Sequence, residues 1–359
     1  MWAHWHPMAR LKRADCGDPG LTRRGRGKGF EYLDEAGRRI TDPEVLQRIS
    51  DLRIPPAWQE VWICPYPMGH IQATGIDAAG RKQYLYHPKW RERQDEKKFD
   101  AMVRFAQALP DMRAQVERDL AGKGITRTRV LAAALRLLDR GFLRIGGESY
   151  AEDNESYGLA TMRKDHVTVT SNHAINFDFT GKSGIRHVRY VVDEPVAEIV
   201  RELKRRRGGG DELLAYRDEK GKWRDIKSPD IRAYVKEAAG DEYTAKDFRT
   251  WAGTVLAAVA LATTEPERRK VKSANKRMIS AAVKEVAHFL GNTPAVARAA
   301  YIDPRVIDRF RDGFTIEPVL IDLADEPDIG QPAIQGSVEE AVLDLINEPR
   351  KSKLVDKAA

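Results

Sequence analysis

Three stretches after residue 140 place a cation where an anionic group could bind. Arg144 lies in GFLRIGGESY, between an apolar flank and two glycines, and Lys182 lies in FTGKSG. Lys246 and Arg249 lie in TAKDFRTWAGT, in the first turn of a predicted helix, where the helix macrodipole disfavours positive charge. A phosphate would relieve that cost, and the arginine fork matches phosphate oxygens. For both arginines a structural ion pair, with Asp247 or another nearby carboxylate in the case of Arg249, remains the alternative.

The Gly-Lys-Ser at 181–183 does not fit a nucleotide-binding loop. Such a loop needs a further glycine at the position of Asn176, closing a strand and opening a helix. Here the residues on both sides alternate between apolar and polar, which predicts two strands joined by a tight turn. Lys182 is therefore expected at the tip of a β-hairpin, and an ordinary solvated turn lysine is the alternative. We expect no nucleotide as a partner.

Asn292 and Tyr301 belong to the segment VAHFLGNTPAVARAAYIDP. Gly291 is expected to end one helix, and Thr293-Pro294 is expected to begin the next with an N-cap and a proline at its first position. Asn292 then lies in the joint between two helices, and Tyr301 lies near the end of the second. From the residues alone, half-buried packing for the tyrosine and a plain turn for the asparagine stay open.

The periodicity along the chain predicts an α+β fold with two domains. Short alternating segments punctuated by Gly and Pro predict a small, mainly β N-terminal domain at residues 29–90. Apolar residues at helical spacing predict a larger, mainly α domain at 99–312, interrupted by strands between 167 and 192. The run KWRERQDEKKFD suggests a charged linker at 91–98.

The two ends of the chain carry opposite charge. Residues 1–28 are rich in Gly, Arg and Pro and predict a flexible basic arm, whereas 313–359 predict an acidic tail with one possible amphipathic helix at VEEAVLDLINE. The chain has a net charge of +7, yet residues 316–359 hold ten acidic and four basic side chains, so the rest carries +13. A basic body suits a polyanionic partner, and a solvated charged surface is the alternative.

Composition excludes several classes of protein. The longest apolar stretch, 251–262, holds about a dozen residues, whereas a membrane-spanning helix needs roughly 20. The N-terminus has no apolar segment typical of a secretory signal, and the two cysteines do not suggest a disulfide scaffold, so a cytoplasmic protein without membrane contact is expected. His4 and His6 are the nearest metal-like pair, and we expect no metal site.

Taken together, the motifs resemble the type IB DNA topoisomerases of the poxvirus and bacterial group over most of residues 20–311. RIPPAW (53–58), GHIQATGID (69–77) and GRKQYLYHP (80–88) resemble the DNA-clamping domain of that family. FLRIGGESY, SYGLATMRKDHV, FTGKSG, TAKDFRTWAGT and LGNTPAVARAAYI then follow in the family order. The resemblance implies a catalytic domain of the tyrosine recombinase and type IB topoisomerase kind, with a β-hairpin that carries Lys182.

The resemblance also implies a role for each catalytic residue. Tyr301 would attack the scissile phosphodiester, giving a 3′-phosphotyrosyl link and a free 5′-hydroxyl. Arg144 and Arg249 would hold the non-bridging oxygens, and Lys182 would protonate the 5′-oxygen with help from Arg144. Asn292 would donate a hydrogen bond to a non-bridging oxygen. The poxvirus enzymes have His at that position, and because an amide donates but cannot exchange a proton near neutral pH, oxyanion stabilisation rather than acid–base chemistry is implied.

Four further residues are implied to contact DNA. Lys246 would approach the minor groove beside the scissile site, and Gln83, Tyr84 and Tyr86 match residues that contact bases and backbone in the major groove. The implied protein is a monomer that clamps double-stranded DNA and needs no cofactor, ATP or metal.

Two other functions are alternatives to relaxation of supercoiled DNA. A tyrosine recombinase or integrase shares the chemistry, but it usually carries His in an HxxR motif where this chain has Lys246 in KDFR. A non-catalytic DNA-binding clamp would have kept the fold and lost the reaction, although all five expected catalytic positions hold competent residues.

Overall fold

The computed structural model describes residues 10–27, 29–264, 272–325 and 334–357. His4 and His6 lie outside the described residues. The chain divides into two compact units, residues 1–100 and 101–359. The predicted small sheet domain and larger helical domain are confirmed.

The N-terminal unit is a five-stranded antiparallel sheet with one short helix. The strands are β1 (Leu21–Arg26), β2 (Gly29–Leu33), β3 (Gln59–Ile63), β4 (Ile71–Ile76) and β5 (Lys82–Tyr86), in the order β2-β1-β3-β4-β5. Helix α1 (Pro43–Asp51) begins after the N-cap Asp42, whose carboxylate accepts from two backbone amides. Its Ile49 packs with Leu21, Ile63 and Ala73 in a small separate core.

Two boundaries in this unit differ from the sequence prediction. Residues 21–26 of the predicted flexible arm form β1, because Leu21 is buried in the core and Arg23 donates to the backbone oxygens of Pro55 and Trp58. The predicted linker at 91–98 is helical and belongs to α2 (Pro88–Leu120). Lys, Arg, Glu and Gln favour helices, so a charged run of this kind continues a helix rather than interrupting it.

The described part of the larger unit contains most of the helices and three small antiparallel sheets. Its elements after α2 are α3 (Arg127–Gly141), α4 (Glu148–Asn154), β6 (Val167–Val169), β7 (Ala174–Gly181), β8 (Ile185–Val192), α5 (Glu194–Arg205), β9 (Ala215–Arg217), β10 (Trp223–Asp225), α6 (Ser228–Ala239), α7 (Ala245–Ala262), α8 (Lys272–Leu290), α9 (Pro294–Ala300), α10 (Pro304–Arg311), β11 (Phe314–Thr315), α11 (Glu317–Asp325), α12 (Ser337–Asn347) and β12 (Asp356–Lys357). The sheets are β6-β7-β8, β9-β10 and β11-β12. Helices α3 and α7 lie in the core and are buried on most of their surface.

The C-terminal segment is not a detached acidic tail. Phe314, Ile316, Val338 and Ile346 are buried in the main core, and the predicted amphipathic helix is α12. The many acidic residues of this region made it resemble a solvated tail. One of them, Glu339, is in fact buried beside Arg113. Among the residues that the structure describes, no helix is both long enough and apolar enough to span a bilayer.

Candidate active site

Lys182 lies at the turn of a β-hairpin. Strands β7 and β8 pair along their whole length, from Ala174 with Val192 to Gly181 with Ile185. Lys182 begins the single helical turn that joins them, and its side chain is exposed. Gly184 closes this turn at φ +72°, a conformation that favours glycine. The cation therefore stands at the end of an arm built from two long strands.

The inner face of this hairpin is not the one that its apolar pattern suggests. On β7 the apolar set at 175, 177 and 179 is buried, but on β8 Val188, Tyr190 and Val192 are exposed. His187, half-buried Arg189 and Val191 take the inner positions instead. Sequence analysis missed His187 and Arg189, although the period of two places them together on one face.

Arg249 is buried in the first turn of α7, with only 4% of its surface exposed. Asp247 is not its partner, because that carboxylate accepts from the backbone amide and hydroxyl of Thr244 in an N-terminal capping box. Arg249 instead donates to the backbone oxygen of Phe142 and, at 2.7 Å, to that of Leu290. Its Nε has no hydrogen-bond partner. Among the described residues, no carboxylate forms an ion pair with Arg249.

Arg144 reaches the joint between α8 and α9. Helix α3 ends at Gly141, and Phe142 turns the chain with φ +54°. The Arg144 Nη2 atom then donates to the Gly291 oxygen at 3.2 Å and to Asn292 Oδ1 at 2.8 Å. Two of the predicted site residues are thus in direct contact across 148 positions of sequence.

The side-chain amide of Asn292 has its oxygen hydrogen-bonded and its nitrogen unpartnered. Its Oδ1 accepts from Arg144, whereas its buried Nδ2 has no hydrogen-bond partner in the structure. The backbone turns at Gly291 with φ +60°. The backbone N–H of Asn292 then donates to the Ala287 oxygen at the end of α8. The asparagine therefore holds a buried donor ready for an acceptor that is not part of the chain.

Tyr301 lies immediately after α9 and is half-buried. Its backbone oxygen accepts from the Thr254 hydroxyl on α7, and its ring centroid lies 5.3 Å from the Arg249 guanidinium carbon. Gly253 allows this approach, because a Cβ there would lie 2.6 Å from the Tyr301 oxygen. Helix α7 thus positions both the arginine and the tyrosine.

Three of these residues border a small cleft, and none of the described residues that line it carries a carboxylate. Arg144, Lys182 and Arg249 line it together with Arg189 and His187. Burial, with the nearby charge of Arg144, lowers the pKa of Arg249 to about 10, and the Tyr301 phenol partly offsets this. Burial also lowers the pKa values of Arg144 and Arg189. All three remain protonated at neutral pH, so the cleft concentrates uncompensated positive charge.

His187 is neutral near pH 7. Burial, reinforced by the charges of Arg189, Arg144 and Arg249, lowers its pKa to about 4. Its Nε2 has no hydrogen-bond partner in the structure, and its ring packs beside Phe179 at 5.5 Å between centroids. A histidine so placed fills space and accepts no proton at physiological pH.

The predicted DNA-contact residues divide between the two units. Lys246 is exposed in the first turn of α7. In the N-terminal unit Tyr84 and Tyr86 are exposed on one face of β5, with ring centroids 6.0 Å apart. Gln83 lies on the opposite face and donates to Asp77 Oδ2 at 2.9 Å. Alternation along the strand therefore separates Gln83 from the two tyrosines.

Comparison with known proteins adds independent evidence. A family model of the catalytic core of eukaryotic DNA topoisomerase I matches residues 87–314, and one of the N-terminal domain of bacterial DNA topoisomerase IB matches residues 29–77. The chain is 32% identical over 302 residues to DNA topoisomerase 1B of Acanthamoeba polyphaga mimivirus, covering 83% of this chain and 86% of that one. The chain belongs to the type IB DNA topoisomerases.

More distant relatives agree with this assignment. DNA topoisomerase 1B of Vaccinia virus (strain Copenhagen) is 21% identical over 294 residues, 77% of this chain and 88% of the viral one. DNA topoisomerase 1 of Daucus carota is 29% identical over 143 residues, 40% of this chain and 17% of the plant protein. As a type IB DNA topoisomerase, the chain is an isomerase that acts on duplex DNA and relaxes supercoils. Both matching family models describe topoisomerases, which favours relaxation of DNA over recombination.

Proposed function

We propose that this type IB topoisomerase cuts one strand of duplex DNA with Tyr301 and reseals it after the free end has swivelled. The observation that carries the assignment is the cationic cleft lined by Arg249, the residue that packs against Tyr301. Its phenol lies over Arg249, and the cleft lining holds four cations and no carboxylate. Such a concentration of positive charge attracts an anion such as a phosphate.

The cations of the cleft would activate the tyrosine as a nucleophile. A tyrosine hydroxyl has a pKa of about 10 and is a poor nucleophile at neutral pH. Arg144 and Arg249 favour the phenolate and, more strongly, the charge that builds on the non-bridging oxygens as the phosphorus becomes pentacoordinate. We assign these two arginines to the non-bridging oxygens, and the partnerless Nδ2 of Asn292 to a hydrogen bond with one of them.

Lys182 is assigned as the general acid. The 5′-oxygen leaves as an alkoxide unless a proton is supplied, and an exposed lysine at the tip of a hairpin can reach a leaving group outside the buried part of the cleft. Arg144 assists this step. The hairpin and the arrangement around it support a catalytic domain of the tyrosine recombinase and type IB topoisomerase kind.

The reaction as proposed needs no nucleotide and no metal. Attack by Tyr301 forms a phosphorus–oxygen bond as the bond to the 5′-oxygen breaks, so the phosphotyrosyl ester retains the energy for resealing. The arginines supply the positive charge that a metal ion would otherwise provide.

Both units are proposed to contact DNA as parts of a monomer. Lys246 is assigned to the minor groove beside the scissile site. Tyr84 and Tyr86 offer two exposed aromatic rings, with Lys82 5.8 Å from the first. Gln83 takes part only if its hydrogen bond to Asp77 is released. Because duplex DNA is the substrate, we place the enzyme in the cytoplasm on nucleoid DNA.

The test is relaxation of supercoiled plasmid in EDTA without ATP, comparing the wild type with Tyr301→Phe. We expect the wild type to relax negative and positive supercoils and to form a covalent adduct with DNA. The variant keeps the ring and its packing on Arg249 but lacks the nucleophile, so it should bind DNA and do neither. Relaxation by the variant, or a wild type that binds without cutting, would overturn the assignment.

A further inference from the structure

Three consecutive backbone oxygens at the end of α8 each accept a hydrogen bond from a different arginine. Phe289 accepts from Arg189 at 2.6 Å, Leu290 from Arg249 at 2.7 Å, and Gly291 from Arg144 at 3.2 Å. We call residues 289–291 the carbonyl end of α8. The last carbonyls of a helix lack partners within the helix and carry the negative end of its dipole, so they suit cations.

Arg189 is the member of this set that belongs to the Lys182 hairpin. It lies on the inner face of β8, seven residues after Lys182, and is paired with Phe177 of β7. Its guanidinium also donates to the Val188 oxygen at 2.8 Å. The side chain therefore links the strand that leads from the Lys182 turn to the helix end that holds the two proposed phosphate ligands.

A second contact joins the same two elements. His187, two residues before Arg189, lies between Gly181 on the hairpin and Gly291 at the carbonyl end of α8. A Cβ at either glycine would overlap the imidazole ring. The hairpin is thus held against the helix end by one hydrogen bond and by a ring that fits only because two facing residues lack side chains.

In the part of the chain that the structure describes, no acidic side chain pairs with Arg189. Burial, with the charge of Arg144, lowers its pKa, and the cleft lining contains no carboxylate. A neutral side chain would avoid this cost. The guanidinium is therefore stabilised mainly by the backbone oxygens that accept its hydrogen bonds. This favours a role in placing β8 over the role of an ordinary solvated surface arginine.

We propose that Arg189 is a positioning residue, which holds the hairpin on the carbonyl end of α8 and thereby places Lys182 relative to Arg144 and Arg249. This inference rests on the proposed role of Lys182 as general acid. A displacement of about 1 Å can lower a rate by about a hundredfold, so a single hydrogen bond midway along the arm can control proton transfer at its tip. A direct contact of Arg189 with a phosphate is the alternative that the experiment distinguishes.

The test compares two DNA substrates that differ at one atom. Duplex oligonucleotides carry either oxygen or sulfur as the 5′-bridging atom at a mapped cleavage site, and single-turnover formation of the covalent adduct is measured. With sulfur, attack by Tyr301 breaks the phosphorus–sulfur bond and releases a thiolate, which needs no proton because a thiol has a pKa of about 8.5. We expect Arg189→Ala to cut the oxygen substrate at least tenfold more slowly than wild type and the sulfur substrate within about threefold of it.

Three variants keep the result interpretable. Lys182→Ala should show the same rescue by sulfur, and Arg189→Lys should recover part of the rate on the oxygen substrate. Arg186→Ala is the matched control, because Arg186 lies on the outer face of β8 and pairs with Asp178; its oxygen-to-sulfur rate ratio should equal that of the wild type. Thermal unfolding of each variant establishes that it is folded.

The outcomes separate this inference from the function on which it rests. Equal slowing of Arg189→Ala on both substrates, with rescue of Lys182→Ala, would overturn positioning and assign Arg189 to the phosphate. No slowing at all would also overturn it. If sulfur fails to rescue Lys182→Ala, the general acid is misassigned and this inference falls with it, whereas loss of the adduct in Tyr301→Phe would still uphold the nucleophile.

Discussion

At the scale of single residues, the site combines groups that are individually unfavourable in a protein interior. Arg249 is buried without a carboxylate, and the Asn292 Nδ2 atom is buried without an acceptor. Each costs free energy in the protein alone, and each would be satisfied by a phosphate. Both groups lower the stability of the free protein, and binding of a phosphate accounts for their presence.

Asn292→Asp tests the unpartnered donor. The carboxylate keeps an oxygen for Arg144 but removes the Nδ2 donor and adds a charge that repels phosphate. We expect adduct formation in single-turnover assays to fall about a hundredfold or more. Asn292→His restores a donor, so its rate of adduct formation should be well above that of Asn292→Asp. An aspartate variant as fast as the wild type would show that Nδ2 does not contact the reacting phosphate.

His187 makes stability depend on pH. Its pKa is lowered from 6.5 to about 4, so the unfolded chain binds a proton more readily than the folded one between these values. The free energy of unfolding should therefore decrease as pH falls from 6.5 towards 4, by up to about 1.4 kcal/mol per pH unit from this group. Charged Arg144, Arg189 and Arg249 face the ring throughout that range. Urea denaturation at several pH values should give a shallower slope for His187→Gln, and equal slopes would contradict the assignment.

At the scale of elements, helix ends and glycines set the geometry of the site. The carbonyl end of α8 binds three arginines, Gly291 leaves space there for the His187 ring of the hairpin, and Gly253 allows α7 to approach the Tyr301 backbone. Close approach of backbones fixes positions more tightly than contacts between long side chains, because peptide groups have few alternative conformations.

Gly253→Ala tests the approach of α7 to Tyr301. Alanine normally stabilises a helix interior by about 1 kcal/mol relative to glycine. Here its Cβ would lie 2.6 Å from the Tyr301 backbone oxygen, so we expect lower stability by about 1 kcal/mol or more, and at least tenfold slower cleavage. Gly122→Ala is the control, since its Cβ would meet the nearest atom at an ordinary 3.4 Å. Thermal unfolding and single-turnover assays compare the two, and a more stable Gly253→Ala with full activity would refute the argument.

At the scale of the larger unit, the C-terminal segment completes the support of the catalytic helices. Arg113 on α2 binds Asp139 on α3 at 2.8 Å and Glu339 on α12 at 3.0 Å. Glu339 also accepts from the Trp251 indole on α7 at 2.7 Å. Burial alone would lower the pKa of Arg113, but the two carboxylates outweigh it and raise that pKa. Helix α7, which carries Arg249, is thus tied to the C-terminal segment.

Glu339→Ala and Glu340→Ala form a matched pair at this scale. Glu339 is buried in the Arg113 network, whereas Glu340 is exposed one residue later on α12. Loss of Glu339 leaves Arg113 with one carboxylate and the Trp251 indole without an acceptor. We expect it to lower the free energy of unfolding by roughly 2 kcal/mol or more in urea denaturation, and loss of Glu340 by less than about 0.5 kcal/mol. Equal effects would mean that the network does not support the fold.

The sequence by itself determined the site residues worth considering and the elements that hold them. Period-two and period-3.6 patterns predict the hairpin with Lys182, the helix that begins before Arg249 and the joint with Asn292, because alternation, caps and glycine stops are local properties. The order of the motifs indicated the family, which the comparisons confirm. The assignments of Tyr301 and its partners remain proposals, although the structure brings Arg144, Asn292, Arg249 and Tyr301 together.

Only the tertiary structure decided which side chains share the cleft and what supports them. The hydrogen bonds from Arg144, Arg189 and Arg249 to the carbonyl end of α8 span 147, 100 and 41 positions of sequence, and no local pattern encodes such distances. The same holds for the inward position of His187 and for the packing of α12 through Glu339. A buried ion pair and a buried strand face cannot be distinguished from solvated ones until the opposing element is known, since burial depends on what packs against a residue and not on the residue alone.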